Sequence, residues 1–432
     1  MTPTATMPPL DLVQSYSGPR SAVGQRAIAD IPEWPGSFTS SHSTFASLQS
    51  AVDAAGTSRK FEITASFAFA AVIQPHASDE FWFDPGVIIT RSGAISNAIR
   101  PASGVTGVKV MNGKFDGFNA GTGSGIGNST DVVIDWNQSN NWEIGYCEFN
   151  NTWYGVSVGQ GGGFADVHDC LFNNIGGAVS AFQGRDVTFR DNKFGPVCGD
   201  PGSVGGTKFV GTRRTQWIHN YCLNGVRGGV WFDTANSEAL VEWNKIEGTG
   251  SASPMGGVAF EANRWVDGLV TGNDQGTKIL ISNGMYNTCR YNYFLNNLDV
   301  GLHVLHSSGT VVGGNVFSND VVNQPNIGSI AIEFDGNLTV NQGGFVMHLD
   351  IEQNHFSDNK ITQNLTGRKA VTLSISNVAD TVPYFTNTKD NSFDFNTYDV
   401  LDPVSTLAFA WNGNKTFAQW QGIPQDAGGS AF

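Results

Sequence analysis

From residue 60 onward, apolar residues recur at alternate positions in short runs such as Phe61-Glu62-Ile63-Thr64 and Val87-Ile88-Ile89-Thr90, the pattern of strands with one buried face. Three families of runs follow one another. The first is an Asn-x-apolar triplet: Asn192-Lys193-Phe194, Asn220-Tyr221-Cys222, Asn244-Lys245-Ile246, Asn292-Tyr293-Phe294, Asn315-Val316-Phe317, Asn359-Lys360-Ile361 and Asn391-Ser392-Phe393. Gly113-Lys114-Phe115, Cys147-Glu148-Phe149 and Cys170-Leu171-Phe172 are earlier relatives with the Asn replaced. The second family comprises Gly155-Val156-Ser157-Val158, Gly229-Val230-Trp231-Phe232, Gly257-Val258-Ala259-Phe260, Gly301-Leu302-His303-Val304 and Ser329-Ile330-Ala331-Ile332. The third precedes the triplet, as in Ala165-Asp166-Val167-His168, Asp186-Val187-Thr188-Phe189 and Ala239-Leu240-Val241-Glu242.

Equivalent apolar residues are spaced by 23 (Phe149 to Phe172), 22 (Phe172 to Phe194), 24 (Cys222 to Ile246) and 23 (Phe294 to Phe317) residues. Three short strands in such a period are one coil of a parallel β-helix. The fold class is all-β. The 44 residues from Phe317 to Ile361 read as two periods with one degenerate turn, and the 34 from Phe115 to Phe149 as one period with a loop insertion. Asn at a tight bend tolerates left-handed backbone angles and can bond the same residue type one coil away, while the following apolar residue fills the core. Ahead of the strands, Phe45, Leu48 and Val52 share one helical face, with Ser43 as N-cap, which predicts a helix near residues 43–55 covering the open end of the stack. Residues 1–42, rich in Pro, Ser, Thr and Gly, read as an arm or linker, 43–400 as the β-helix and 401–432 as a C-terminal extension.

Composition agrees: Gly 53 and Phe 29 with 14% charged residues suit many short strands joined by turns. A net charge of -14 repels phosphates and anionic lipid, so no nucleic acid partner is expected. No run approaches the ~18 apolar residues that span a bilayer, and no membrane insertion is expected. The first twenty residues lack the basic and apolar regions of a Sec-type signal, which points to a processed form or another export route. Cys147, Cys170, Cys198, Cys222 and Cys289 are odd in number and form no C-x-x-C pair, against zinc or a disulfide framework. Cys147 and Cys170 each stand two residues before a Phe and are expected to be small buried apolar groups.

The opening Leu48-Gln49-Ser50-Ala51-Val52-Asp53-Ala54-Ala55, the turn Val108-Lys109-Val110-Met111-Asn112-Gly113-Lys114-Phe115 and the Asn-x-apolar coils resemble the pectin-lyase-like superfamily of right-handed parallel β-helix proteins, over residues 43–400. That superfamily holds polysaccharide lyases, glycoside hydrolases, epimerases, fructotransferases and phage tailspikes, so the fold does not select an activity. The resemblance implies a carbohydrate polymer as partner and a homotrimeric spike on a virion tail, with the N-terminal arm gripping other tail proteins. The alternatives are a secreted polysaccharide-processing enzyme and a non-catalytic surface adhesin.

Candidate chemistry lies in the second family. Asp233 and Glu261 occupy the same place on successive coils, and Glu333 occupies it again further along. Carboxylates one strand spacing apart, about 4.8 Å, push one pKa up, as a general acid beside a base or nucleophile requires. Trp231, Arg227, Arg264 and Trp265 lie close in sequence and suit sugar stacking and hydroxyl or carboxylate binding. His303, outward by alternation, is a further candidate for substrate binding. His303 and His306 bring no matching ligand set, so no zinc or other cofactor is expected; calcium, which some lyases of the resembled superfamily use, would need several clustered acids.

Overall fold

The computed structural model describes residues 24–54, 56–118, 132–158, 162–175, 177–182, 184–195, 207–224, 229–233, 236–248, 257–261, 268–270, 279–281, 287–298, 300–321, 327–335, 339–342, 345–348, 351–376, 389–401, 408–411, 413–423 and 425–432. Arg227, Arg264, Trp265 and Cys198 lie outside these. The chain forms two compact units, made chiefly of residues 19–216 and 217–432.

Both units repeat one coil of three parallel strands, and the right-handed parallel β-helix expected from the periodicity is what the chain adopts. The third family forms sheet 1, the triplets sheet 2 and the second family sheet 3. In the first unit, sheet 1 runs Ser40–His42, Lys60–Ile63, Glu80–Phe83, Lys109–Met111, Asn140–Gly145, Gly163–His168, Arg185–Arg190. Register is strict: Phe115, Phe149, Phe172 and Phe194 are successive partners, with ring centroids 5.6, 5.0 and 4.9 Å apart. In the second unit Ile246, Phe294, Phe317 and Ile361 form the same column, and Phe294 and Phe317 stack at 4.5 Å. All but Phe194 in these columns are completely buried.

Helix α1 (Phe45–Asp53) confirms the predicted cap, burying Leu48 and Val52 and setting Phe45 5.3 Å from Phe69. Its N-cap is Thr44, which is extended (φ -141°, ψ 153°) and whose hydroxyl accepts from the Ser47 amide, and not Ser43; a cap side chain serves an amide two or three residues on. Residues 24–38 pack on sheet 1 of the first unit. The Gln25 amide donates to the carbonyls of Val87 and Asn112 at 2.8 Å, and Trp34 meets Trp82 edge-on at 5.5 Å.

The corner between sheets 1 and 2 of the second unit is held by side-chain amides. Asn244 donates both its backbone and side-chain N–H to Asn292 Oδ1 at 2.9 Å. Asn292 does the same to Asn315 at 2.9 and 3.0 Å, Asn315 to Asn359 and Asn359 to Asn396. Asn396 ends the series on Asp426, which also accepts from Tyr398. Each of these Asn residues is buried, so the ladder satisfies groups that water cannot reach. Cys147 and Cys170 fill the same corner in the first unit as buried thiols donating to the Gly145 and His168 carbonyls.

Three details depart from the sequence reading. The left-handed residue at this corner is the one before the Asn: Asp191, Trp243, Tyr291 and Asp358 have φ of 58°, 58°, 57° and 56°, which leaves the Asn free to turn its amide inward. The 44 residues from Phe317 to Ile361 are one coil and not two, since the two residues pair directly; an antiparallel hairpin, Thr339–Gln342 with Phe345–His348, lengthens the coil. Asn391 belongs to a second ladder, accepting from Asn354, and Phe393 stacks on Phe356 at 4.4 Å. Asn serves two corners, so the triplet alone does not tell them apart. Among the described residues no helix is long and apolar enough to cross a membrane.

A third ladder ends on an acid. The Asn297 backbone and side-chain N–H groups donate to Asp320 Oδ1 at 3.0 and 2.8 Å, and complete burial pushes the Asp320 carboxyl up to about 7. The folded chain therefore holds a proton that the unfolded chain releases near pH 4, and stability falls as pH rises from there to about 7. Asp320→Asn is expected to remove that slope, at most about 1.4 kcal/mol per pH unit, in urea melts at pH 5 and pH 8. Asn292→Ala is expected to destabilise by about 2–4 kcal/mol, because it strands buried donors on two coils; an unchanged urea midpoint would show the ladder to be dispensable.

Candidate functional site

Sheet 3 of the second unit begins Val230–Asp233, Val258–Glu261, Leu302–Leu305, Gly328–Asp335. Alternation sends Val230, Phe232, Val258, Phe260, Leu302, Val304, Ile330 and Ile332 into the core, with Phe232 and Phe260 stacked at 5.2 Å. The opposite face carries two rows. One is Trp231, Ala259, His303, Ala331, and the other Asp233, Glu261, Leu305, Glu333, each residue paired with the next. Gly229 and Gly257 permit this close stacking at the preceding turn, where a Cβ on Gly229 would lie 2.5 Å from the Gly257 carbonyl oxygen.

The structure thus brings Asp233 and Glu261 onto adjacent strands and leaves Glu333 two strands beyond Glu261, about 10 Å at sheet spacing. The row containing Trp231 is covered, with Trp231 9% and His303 3% exposed, whereas Asp233, Glu261 and Glu333 are half-buried. His303 faces outward from the core as alternation requires, and its Nε2 lies 3.3 Å from Glu333 Oε2. This contact, aided by the positive charge available on His303 and His306, holds the Glu333 carboxyl below its ordinary range against the upward push of burial. Glu333 is therefore an anion at neutral pH, suited to accept a proton or a hydroxyl hydrogen and not to donate one.

A second constellation, in the first unit, escaped the sequence reading. On the outer face of sheet 1 the columns Glu80, Lys109, Glu143, Asp166, Thr188 and Trp82, Met111, Gly145, His168, Arg190 run side by side. His168 is buried, 3.0 Å from Asp169 and 3.4 Å from Glu143. Burial pushes its imidazole down, but the hydrogen bonds to Asp169 and Glu143 outweigh this and bring it up to about 9. The bond to His168, then that to Lys109 at 2.5 Å, takes Glu143 down to about 2 despite its burial. Arg26 pairs with Asp169 at 2.7 Å and lies over the Tyr146 ring at 4.5 Å.

Glu33, Glu143 and His168 place possible ligand atoms within 4.8 Å of one another. Lys109 already pairs with Glu143 at 2.5 Å, His168 with Asp169 at 3.0 Å and Asp169 with Arg26 at 2.7 Å, so the cluster reads as an ion network fastening residues 24–34 to sheet 1. Its members come from separate strands, each of which shows only ordinary polar alternation; the one local signal is His168-Asp169 ahead of Cys170.

The chain shares the right-handed parallel β-helix fold with several solved structures. Among solved structures it is similar to the surface adhesin PfbA of Streptococcus pneumoniae, at 10% identity over 91% of this chain and 94% of that one, with a TM-score of 0.57. It is also similar to a family 28 exopolygalacturonase of Yersinia enterocolitica, at 11% identity over 89% and 74%, with a TM-score of 0.55. The tailspike of E. coli bacteriophage HK620 aligns at 12% identity over 94% and 65%, with a TM-score of 0.46. No protein-family model matches the sequence, nor does any curated protein. Identities this low establish the fold and leave the activity to the site.

The raised His168 and lowered Glu143 set a pH window. His168 stabilises fully below pH 6.5 and loses its effect as pH rises through about 9; Glu143 stabilises above pH 4.5 and loses its effect as pH falls through about 2. His168→Gln is expected to lower Tm most at pH 5–6 and to converge on the parent near pH 10, in a differential scanning series. A Tm deficit independent of pH would refute the charged network.

Proposed function

We propose that the outward face of sheet 3 in the second unit binds and cleaves a carbohydrate polymer. The observation that carries this reading is the register of Asp233 with Glu261 on adjacent strands. Two carboxyl groups about 5 Å apart are the spacing of a retaining glycosidase, in which one serves as acid and the other as nucleophile. Glu333, kept anionic by His303, binds a sugar hydroxyl, and Trp231 stands in the row beside it. Arg227, Arg264 and Trp265 are proposed to contact the same substrate.

The likeness to an exopolygalacturonase supports a glycan-facing role for this fold, and the likeness to a surface adhesin is compatible with binding alone. Leu305, which interrupts the carboxylate row between Glu261 and Glu333, favours that second, non-catalytic reading. The finer placement, a homotrimer on a virion tail in place of a secreted enzyme, rests on the family resemblance. A light-scattering mass of one 46.2 kDa chain at micromolar concentration would overturn the trimer.

Asp233→Asn and Glu261→Gln are each expected to lower the turnover of a cleaved polysaccharide by at least about 100-fold, read as reducing-end release, while the urea midpoint stays within error because both side chains leave the core. Full activity in both variants would remove the acid pair and leave the binding reading.

A further inference from the structure

Outside sheet 3, the first unit carries a cleft of about 640 Å³ on the outer face of sheet 1, within the ~300–1,000 Å³ range of ligand sites. Its walls include Lys109, Glu143, Phe164, Asp166, Asp186 and Arg190. Two features distinguish it from an ordinary solvated face.

The first is Phe164. It is 50% exposed and has φ of 52°, a left-handed conformation that disfavours bulky residues. The equivalent corner residues on the neighbouring coils are Asn141 and Asp186, with φ of 56° and 53°, residue types that enter this region easily. A phenylalanine here is the poorer choice for the backbone and exposes apolar surface. The Arg185 guanidinium lies over its ring at 5.6 Å, which steadies the aromatic group while half of the side chain stays open to the cleft. Strain kept at an exposed position is a mark of function more than of stability.

The second is charge. Lys109 pairs with Glu143 at 2.5 Å, Arg190 with Asp166 at 2.7 Å and Arg214 with Asp186 at 2.5 Å, so every charged wall group already has a counter-ion. An ionic ligand would have to displace one of these partners. A neutral polyhydroxylated ligand needs no displacement: it can donate to the remaining carboxylate lone pairs and accept from the remaining ammonium and guanidinium N–H groups, and lay the C–H face of a ring on Phe164.

We infer that this cleft is a second carbohydrate site, non-catalytic and separate from the sheet 3 row, which takes a neutral glycan segment with one sugar stacked on Phe164. The inference rests on the glycan reading of the protein but names a different surface and a narrower ligand class.

The test is calorimetric titration of the full chain with neutral hexasaccharides of the gluco-, galacto- and manno-series, and with oligogalacturonate as the charged counterpart. Phe164→Asn supplies the variant: it relieves the backbone, so Tm is expected to hold or rise, while affinity for the neutral ligand falls about tenfold. Neutral binding that depends on Phe164 without any cleavage would support the cleft and sink the sheet 3 enzyme. Cleavage with binding indifferent to Phe164 would sink the cleft alone. The cleft site is also overturned if no neutral series binds, or if oligogalacturonate binds more tightly than all three and loses that affinity in Phe164→Asn.

Discussion

A coil that turns three times in about 23 residues buries backbone amides at its corners, where neither a helix nor a strand partner can reach them, and the structure depends on giving those amides an acceptor. In the second unit the acceptor is the Oδ1 of an Asn one coil away, taken by a backbone and a side-chain N–H together. The amide is the smallest group that donates and accepts in one plane, so it can repeat without a change of register. Aspartate can only terminate the series unless it is protonated, and it stands at two ends, Asp320 and Asp426. Burial pushes both carboxyls up, the response of an acid held in place of an amide.

Fixed register at the corner fixes everything outside it. Once Asn244, Asn292 and Asn315 are stacked, Phe294 must lie on Phe317 inside, and a residue such as Glu261 must lie beside Asp233 outside. A solenoid therefore builds its surface as rows, and a row of one chemical type is either useful or costly. Sheet 1 of the first unit sets the bases Lys109, His168 and Arg190 among the acids Glu143 and Asp166, so that each charge meets its opposite. In the sheet 3 row Asp233 stands in register with Glu261, two residues of like type at facing positions on adjacent strands.

The periodicity made the fold legible, because every coil repeats both the alternation and the corner residue, and the Asp233, Glu261 and Glu333 alignment followed from counting alone. What stayed hidden was whatever the count does not carry. The pairing of Phe317 with Ile361 depends on an inserted hairpin, which lengthens a coil without altering its stacked residues. Asn391 and Asn396 are identical in kind and serve different corners. The contact of His303 with Glu333 and the network around His168 join side chains that strand order, and not sequence distance, brings together.

The corner that turns left-handed exposes a tension between fold and surface. Asn, Asp and Gly relax there, yet the chain sets Tyr146, Phe164, Trp243, Tyr291 and Phe395 at such angles. Three of these are compensated locally: Tyr146 lies under Arg26 and edge-on to His168, and Trp243 and Tyr291 stack at 4.8 Å, with Gly314 making room for the Tyr291 ring. Phe395 closes over Gly428, where a Cβ would lie 2.4 Å from its ring, and so helps seat the last strand. Phe164 is met by a single guanidinium and stays half open above a charge-balanced cleft. Packing explains Tyr146, Trp243 and Tyr291; Phe395 stays 58% exposed outside its Gly428 contact, and Phe164, 50% exposed, differs in lining the charge-balanced cleft, where a ligand accounts for the open ring face.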